Sequence, residues 1–182
     1  HALTGDQFAS GLNPITKKEG WWNYLIGPGK AIDTKKYFVI CANVIGGCMG
    51  SYGPSNINPK TNKNFGTEFP VITINDMVNA QYHLLEFFKI KKLFSVLGGS
   101  MGGMQVLQFV SNFPDKSETA IPIACTHSHS AQNIALNELG RQSIMADHNW
   151  VNGFYENNNK SPDKGLAVAR MAAHILSLIH IS

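Results

Sequence analysis

Cysteine is scarce in this chain. The three thiols, Cys41, Cys48 and Cys125, fit neither a disulfide framework nor paired metal-ligand spacing. They are expected to be free and mostly buried in a reducing compartment, and no metal site is expected. Charge is thin as well: 15% of residues are charged, the formal net charge is +3, and the lysines are scattered. A nucleic-acid-binding surface shows a basic stripe or a known motif; neither is present, so no nucleic-acid partner is expected. No apolar run approaches the ~20 residues needed to span a bilayer, so no membrane span is expected. A signal peptide is not visible, which leaves the cytoplasm as the default compartment. Internal repeats, low-complexity tracts and an initiator methionine are also missing. The chain opens on His1-Ala2-Leu3-Thr4-Gly5 and closes on the apolar run Leu176-Ser177-Leu178-Ile179-His180-Ile181-Ser182 with no helix stop signal. It reads as an interior fragment truncated at both ends.

What is present is ordinary globular composition, 43% hydrophobic over 182 residues, enough for one sizeable core. Trp21-Trp22-Asn23-Tyr24-Leu25-Ile26, stopped by Gly27-Pro28-Gly29, predicts one or two helical turns. Tyr37-Phe38-Val39-Ile40-Cys41-Ala42 is a β-branched and aromatic run that predicts a strand buried on both faces. From Gly46 to Lys63, Gly, Pro, Asn and Ser dominate, which marks a long loop. Thr73-Ile74-Asn75-Asp76 has the pattern of a helix start, and Met77, Val78, Leu84, Leu85 and Phe88 follow as one apolar stripe. A second buried strand, Leu93-Phe94-Ser95-Val96-Leu97, leads into Gly98-Gly99-Ser100-Met101-Gly102-Gly103. A helix through Gln105 to Phe109 ends near Pro114, and Thr119-Ala120-Ile121-Pro122-Ile123-Ala124 predicts a third strand. Strands alternating with helices predict a parallel sheet flanked by helices. After His127 the pattern turns helical, from Ser130 to Met145 and from Gly165 to Leu178, with an Asn-rich linker at Asn152 to Lys160. Residues 1–126 are thus expected to form a partial α/β core, and 127–182 the start of a helical cap.

The Gly-x-Ser-x-Gly pattern draws its meaning from its position. Directly after a buried strand and before a helix it matches a nucleophile elbow, in which the serine occupies a sharp strained turn. Residues two before and two after must be small because the strand and helix backbones nearly touch there; Gly98 and Gly102 satisfy this, and Gly99 and Gly103 are expected to loosen the turn further. The Ser100 hydroxyl then projects at the N-terminal end of a helix, where the dipole and the free N–H of Met101 favour an oxyanion. A tight glycine turn with an incidental serine is the alternative. In this fold the second oxyanion donor comes from the loop after an earlier strand. His1-Ala2-Leu3-Thr4-Gly5 lies upstream of Tyr37, and the N–H of Leu3 is the candidate. A phosphate-binding loop is excluded at Gly27-Pro28-Gly29-Lys30-Ala31, which lacks the leading glycine and the hydroxyl.

These segments, with Gly20-Trp21-Trp22, Leu25-Ile26-Gly27-Pro28-Gly29-Lys30-Ala31-Ile32-Asp33-Thr34, Gly53-Pro54-Ser55, Ile57-Asn58-Pro59, Met104-Gln105, Gly140-Arg141-Gln142 and Gly165-Leu166-Ala167-Val168-Ala169-Arg170-Met171, are similar to those of the homoserine O-acyltransferases, a family of the α/β-hydrolase superfamily. The resemblance runs from His1 to about His174. It implies an α/β-hydrolase fold and a two-step transfer, in methionine biosynthesis, of an acetyl group from acetyl-CoA to the hydroxyl of L-homoserine through acyl-Ser100. The amides of Leu3 and Met101 would hold the oxyanion. It also implies that Arg170 binds the substrate carboxylate; taken alone, Arg170 would be read as a surface ion pair on a helix. No bound cofactor is implied, acetyl-CoA or succinyl-CoA being a co-substrate, and a homodimer is implied at full length. A succinyl donor, or a serine esterase of the same fold, is the alternative. The family's triad acid and histidine lie beyond the equivalent of Leu178, so both are expected to be absent from this chain and the fragment itself to be inactive. Neither His148 after Asp147 nor His174 occupies the position the fold uses for its base, and His127-Ser128-His129, which could suggest a metal pair, has no further ligands near it in sequence and is assigned no role.

Overall fold

The computed structural model describes residues 1–155 and 160–178. Part of the Asn-rich linker and the end of the apolar tail lie outside the described residues. In chain order the elements are β1 (Ile57–Asn58), β2 (Lys63–Asn64), α1 (Ile74–Phe87), β3 (Leu93–Gly99), α2 (Met101–Asn112), β4 (Ser117–Ile123), α3 (Ala131–Met145) and α4 (Asp163–Leu178). They fall into two compact units. One holds His1–Ser51 and Ile72–Thr126; the other holds Tyr52–Val71 and the chain from His127 on. The expected core of 1–126 thus differs in one respect, since residues 52–71 group with the later helices.

In the first unit α1 begins where the Thr-x-x-acid pattern predicts. Thr73 Oγ1 accepts from the Asp76 N–H at 3.2 Å, and the Asp76 carboxylate accepts from the Thr73 N–H at 2.8 Å. Each group satisfies an amide that the helix start leaves open. The Thr73 hydrogen bonds hold the Asp76 carboxyl below the usual range. The stripe of α1 buries Val78 and Leu85 against Phe109 of α2, with Ile40, Ile74, Leu93 and Val96 packed around them. The Tyr82 ring stacks on Phe113 at 4.1 Å between centroids. β3, α2 and β4 form a β-α-β unit. Its two strands pair in parallel, from Leu93 opposite Ser117 to Gly99 opposite Ile123.

Two strand expectations need correction. Tyr37–Ala42 forms no ladder among the described residues, and Tyr37, Phe38 and Val39 are exposed. A strand is defined by its neighbour's hydrogen bonds, and among the described residues none supplies them. β3 pairs with β4 along one edge. A cavity of about 690 Å³ is lined by Phe38, Ile40 and Ala42 of this run and by Phe94, Val96 and Gly98 of β3. The Tyr37 ring still stacks on Phe94, 5.1 Å between centroids. The same open edge explains the second correction. β3 and β4 are less buried than their apolar sequences predict, with Phe94 55%, Ile121 48% and Ile123 41% exposed. Their hydrophobic content is that of a sheet interior, whereas the sheet here has two strands.

In the second unit the loop expected from Gly46 to Lys63 contains a small hairpin, β1 antiparallel to β2. α3 and α4 form a close pair. Gly140 faces Ala169, and a Cβ at Gly165 would collide with the Ser143 carbonyl oxygen. Ala172 is buried, 5% exposed. The Asp147 carboxylate accepts from the N–H groups of Asn149 and Gly165, both at 2.9 Å, so it caps the start of α4. Among the described residues no helix is long and apolar enough to cross a membrane.

Candidate active site

The site is built where β3 ends. Ser100 follows the strand's last residue and is the N-cap of α2, with φ 56° and ψ −122°. A positive φ is uncommon for a residue with a side chain and costs conformational energy unless its surroundings impose it. Three features impose it here. The Ser100 N–H donates to the Ile123 carbonyl at 3.0 Å, continuing the β3–β4 ladder one residue past the strand. The Ser100 carbonyl accepts from the Met104 N–H at 3.1 Å, opening the helix. The third is the contact that needs glycine: a Cβ at Gly98 would lie 2.5 Å from the Gly102 carbonyl oxygen. Strand and helix backbones touch, and the chain reverses between them. Ser100 is left exposed at the tip, and among the described residues its hydroxyl makes no capping hydrogen bond.

The glycines flanking this contact differ from expectation. A Cβ at Gly99 would meet nothing within 4 Å, and the residue has no positive φ, so it does not loosen the turn. Gly103 instead allows close packing, its Cβ position lying 2.7 Å from Cys125 Sγ.

Met101 is the first residue of α2, and its N–H has no acceptor inside the helix. The dipole of α2 adds partial positive charge at that end. The His1–Gly5 loop packs directly against this turn, because a Cβ at Gly102 would stand 3.2 Å from the backbone N, C and O of His1. Within the loop the Gly5 N–H donates to the Ala2 carbonyl at 2.9 Å, a turn with Leu3 at its tip, 73% exposed. The His1 ring anchors the loop. Its Nε2 accepts from the Val44 N–H at 3.3 Å, and its Nδ1 donates to the Ala2 carbonyl at 2.8 Å. Ser100, Met101 and the Leu3 loop are therefore gathered at one end of β3. The 690 Å³ cavity is lined by His1, Gly98 and Gly102 but by none of these three residues, so it lies beside the elbow.

A family model described as alpha/beta hydrolase fold matches residues 1–180. The chain belongs to the α/β-hydrolase fold family. It is 80% identical over 178 residues to a homoserine O-acetyltransferase of Pelagibacter ubique, a match covering 98% of this chain and 48% of that protein. Among solved structures it is similar to a homoserine O-acetyltransferase from Bacillus anthracis, with 31% identity and TM-score 0.87, over 96% of this chain and 48% of the other. It is also similar to esterase E22, with 36% identity and TM-score 0.85, over 95% of this chain and 49% of the other. The chain spans about half the length of the curated relatives it matches.

In this α/β-hydrolase chain Arg170 is exposed on α4, and among the described residues it forms no ion pair, so the surface-pair alternative is not what is observed. The Asp147 side chain is 1% exposed and committed to capping α4, while its neighbour His148 is 75% exposed at 3.5 Å. Asp147 is held below the usual carboxylate range chiefly by the Asn149 and Gly165 amides. Burial pushes the Cys41 thiol above its ordinary value.

A pair of glutamines beneath the turn, Gln105 buried and Gln81 half-buried, was not anticipated from sequence. Gln105 of α2 is 4% exposed; its Oε1 accepts from Gln81 Nε2 at 2.6 Å, and its Nε2 donates to the Met101 carbonyl at 3.3 Å. The signal was available: both glutamines fall at helical spacing within apolar faces, Gln81 between Val78 and Leu85, Gln105 between Gly102 and Phe109.

Proposed function

We propose that the protein containing this chain is a homoserine O-acetyltransferase that works through an acetyl-Ser100 intermediate. The observation that carries this reading is the 80% identity over 98% of the chain, a span that includes the whole elbow. The Ser100 hydroxyl attacks the thioester carbonyl of acetyl-CoA, and the oxyanion is held by the N–H groups of Met101 and Leu3. The C–S bond breaks, CoA leaves as the thiol with the proton from Ser100, and the acetyl group rests on the serine. The hydroxyl of L-homoserine then attacks this ester, and its proton returns to Ser100 as O-acetylhomoserine forms. In α/β hydrolases the acid and the histidine follow the serine in chain order. We assign both, general base and orienting acid, to sequence outside these 182 residues.

Arg170 is proposed to bind the homoserine carboxylate, a role suited to a planar guanidinium that has no ion pair among the described residues. The resemblance supports placement in methionine biosynthesis, a cytoplasmic location and a homodimer. Acyl-CoA is a co-substrate in this scheme, which needs no resident cofactor.

The likeness to esterase E22 favours a second reading, hydrolysis of the same acyl-enzyme by water. The two readings share all the chemistry up to the acyl-serine and differ in what reaches it. Labelled acetyl-CoA and full-length protein separate them. The transferase reading predicts that most of the label reaches homoserine and that CoA release accelerates when homoserine is added. Label passing to water at one rate with or without homoserine would make the protein an esterase.

A further inference from the structure

Beneath the elbow a buried glutamine, Gln105, pairs with the half-buried Gln81, an arrangement that packing alone does not call for. Gln105 is 4% exposed on α2, where Val106 and Phe109 are each 2% exposed. A buried amide is costly unless its donors and acceptor are paired, and two leucines would fill such a place without that requirement. The pairing that exists is directional. Gln81, on α1, donates to Gln105, and Gln105 donates to the carbonyl of Met101. That carbonyl and the N–H of the same residue lie on adjacent peptide planes joined at the Met101 Cα, and the helical dihedrals of Met101, the first residue of α2, couple the direction of one to that of the other. The backbone next to it is the strained one, Ser100 at φ 56°. A strained conformation persists only where its neighbours over-determine it. The ladder bond to Ile123 fixes the strand side of the turn. On the helix side the Gln81–Gln105–Met101 chain ties the first turn of α2 to a second helix.

We propose that Gln105, braced by Gln81, is a positioning residue that holds the Met101 peptide, and with it the elbow, in the geometry for acylation of Ser100. The proposal rests on the reading of Ser100 as the acyl-carrying nucleophile. It predicts that activity and stability respond separately. In Gln105→Leu the Gln81 amide loses its acceptor and the Met101 carbonyl keeps only its helical bond from the residue 105 N–H, losing the side-chain donor that ties it to α1, so both fall. In the double variant Gln81→Leu/Gln105→Leu no amide is left unpaired, and stability returns while the clamp stays absent.

The experiment uses full-length protein, rapid acid quench with labelled acetyl-CoA in the absence of homoserine, and the unfolding midpoint of each variant. The expected result for Gln105→Leu is a fall in the Ser100 acetylation rate of roughly tenfold or more, with saturation at an unchanged acetyl-CoA concentration. The double variant should regain the wild-type unfolding midpoint and keep the slow acetylation. Acetylation that recovers together with stability in the double variant, or that is unchanged in Gln105→Leu, would overturn the proposal by showing the pair to be structural. Ser100→Ala is the separate control: label retained on that variant would remove the nucleophile reading, and this proposal with it.

Discussion

At the scale of single residues, the site is decided by backbone contacts that side chains cannot relieve. Gly98 has no room for a Cβ because the Gly102 carbonyl oxygen lies 2.5 Å from where it would stand, and both atoms belong to fixed elements. Gly99, one residue later in the same motif, faces open space. The two glycines therefore separate need from coincidence. Gly98→Ala should abolish acetylation and sharply lower the soluble yield of full-length protein, whereas Gly99→Ala should leave both near wild type. Equal effects at the two positions would show that the strand–helix approach is not what shapes the turn. The elbow was legible in sequence because its requirement is local: a mostly apolar run, small residues two before and two after a serine, then a helix. Gln105 was not legible in this way. Its partners lie on two helices, and a glutamine inside an apolar stripe becomes meaningful only once the stripe is seen to pack.

At the scale of elements, the same division between local and distant information recurs. Thr73 and Asp76 are three residues apart and announce the start of α1 by themselves. Asp147 stands 18 residues from the Gly165 amide it caps, so nothing in its neighbourhood reveals that role. Tyr37–Ala42 shows the opposite error: composition predicts a strand, but strand pairing depends on an edge the run does not meet among the described residues. Asp147 gives a pH test. Its folded pKa lies below the ordinary carboxylate value, mainly through the Asn149 and Gly165 amides. The stabilisation is therefore complete above the carboxylate range and is lost as pH falls through the folded value. Asp147→Asn should be less stable than wild type at neutral pH, and the two unfolding curves should converge as the solution is acidified. Curves that stay equally separated down to low pH would show that the charge on Asp147 does not contribute to holding α4.

At the scale of the whole molecule, about half of each matched relative lies outside the aligned region. The half spanned by this chain carries the Gly98–Gly102 strand-to-helix turn, the His1–Gly5 loop packed against it and an exposed arginine, together with a strand edge lining a 690 Å³ cavity. The proposed chemistry divides the same way, with nucleophile and oxyanion donors in this chain and base and acid assigned elsewhere. Everything in that division depends on the acyl group passing through one serine. The most direct measurement incubates full-length protein with acetyl-CoA and no homoserine, quenches it in acid and sequences its peptides by mass spectrometry. The account predicts one acetyl group on Ser100, removed when homoserine is added before the quench. An acetyl group on another residue, or turnover in Ser100→Ala at the wild-type rate, would contradict it.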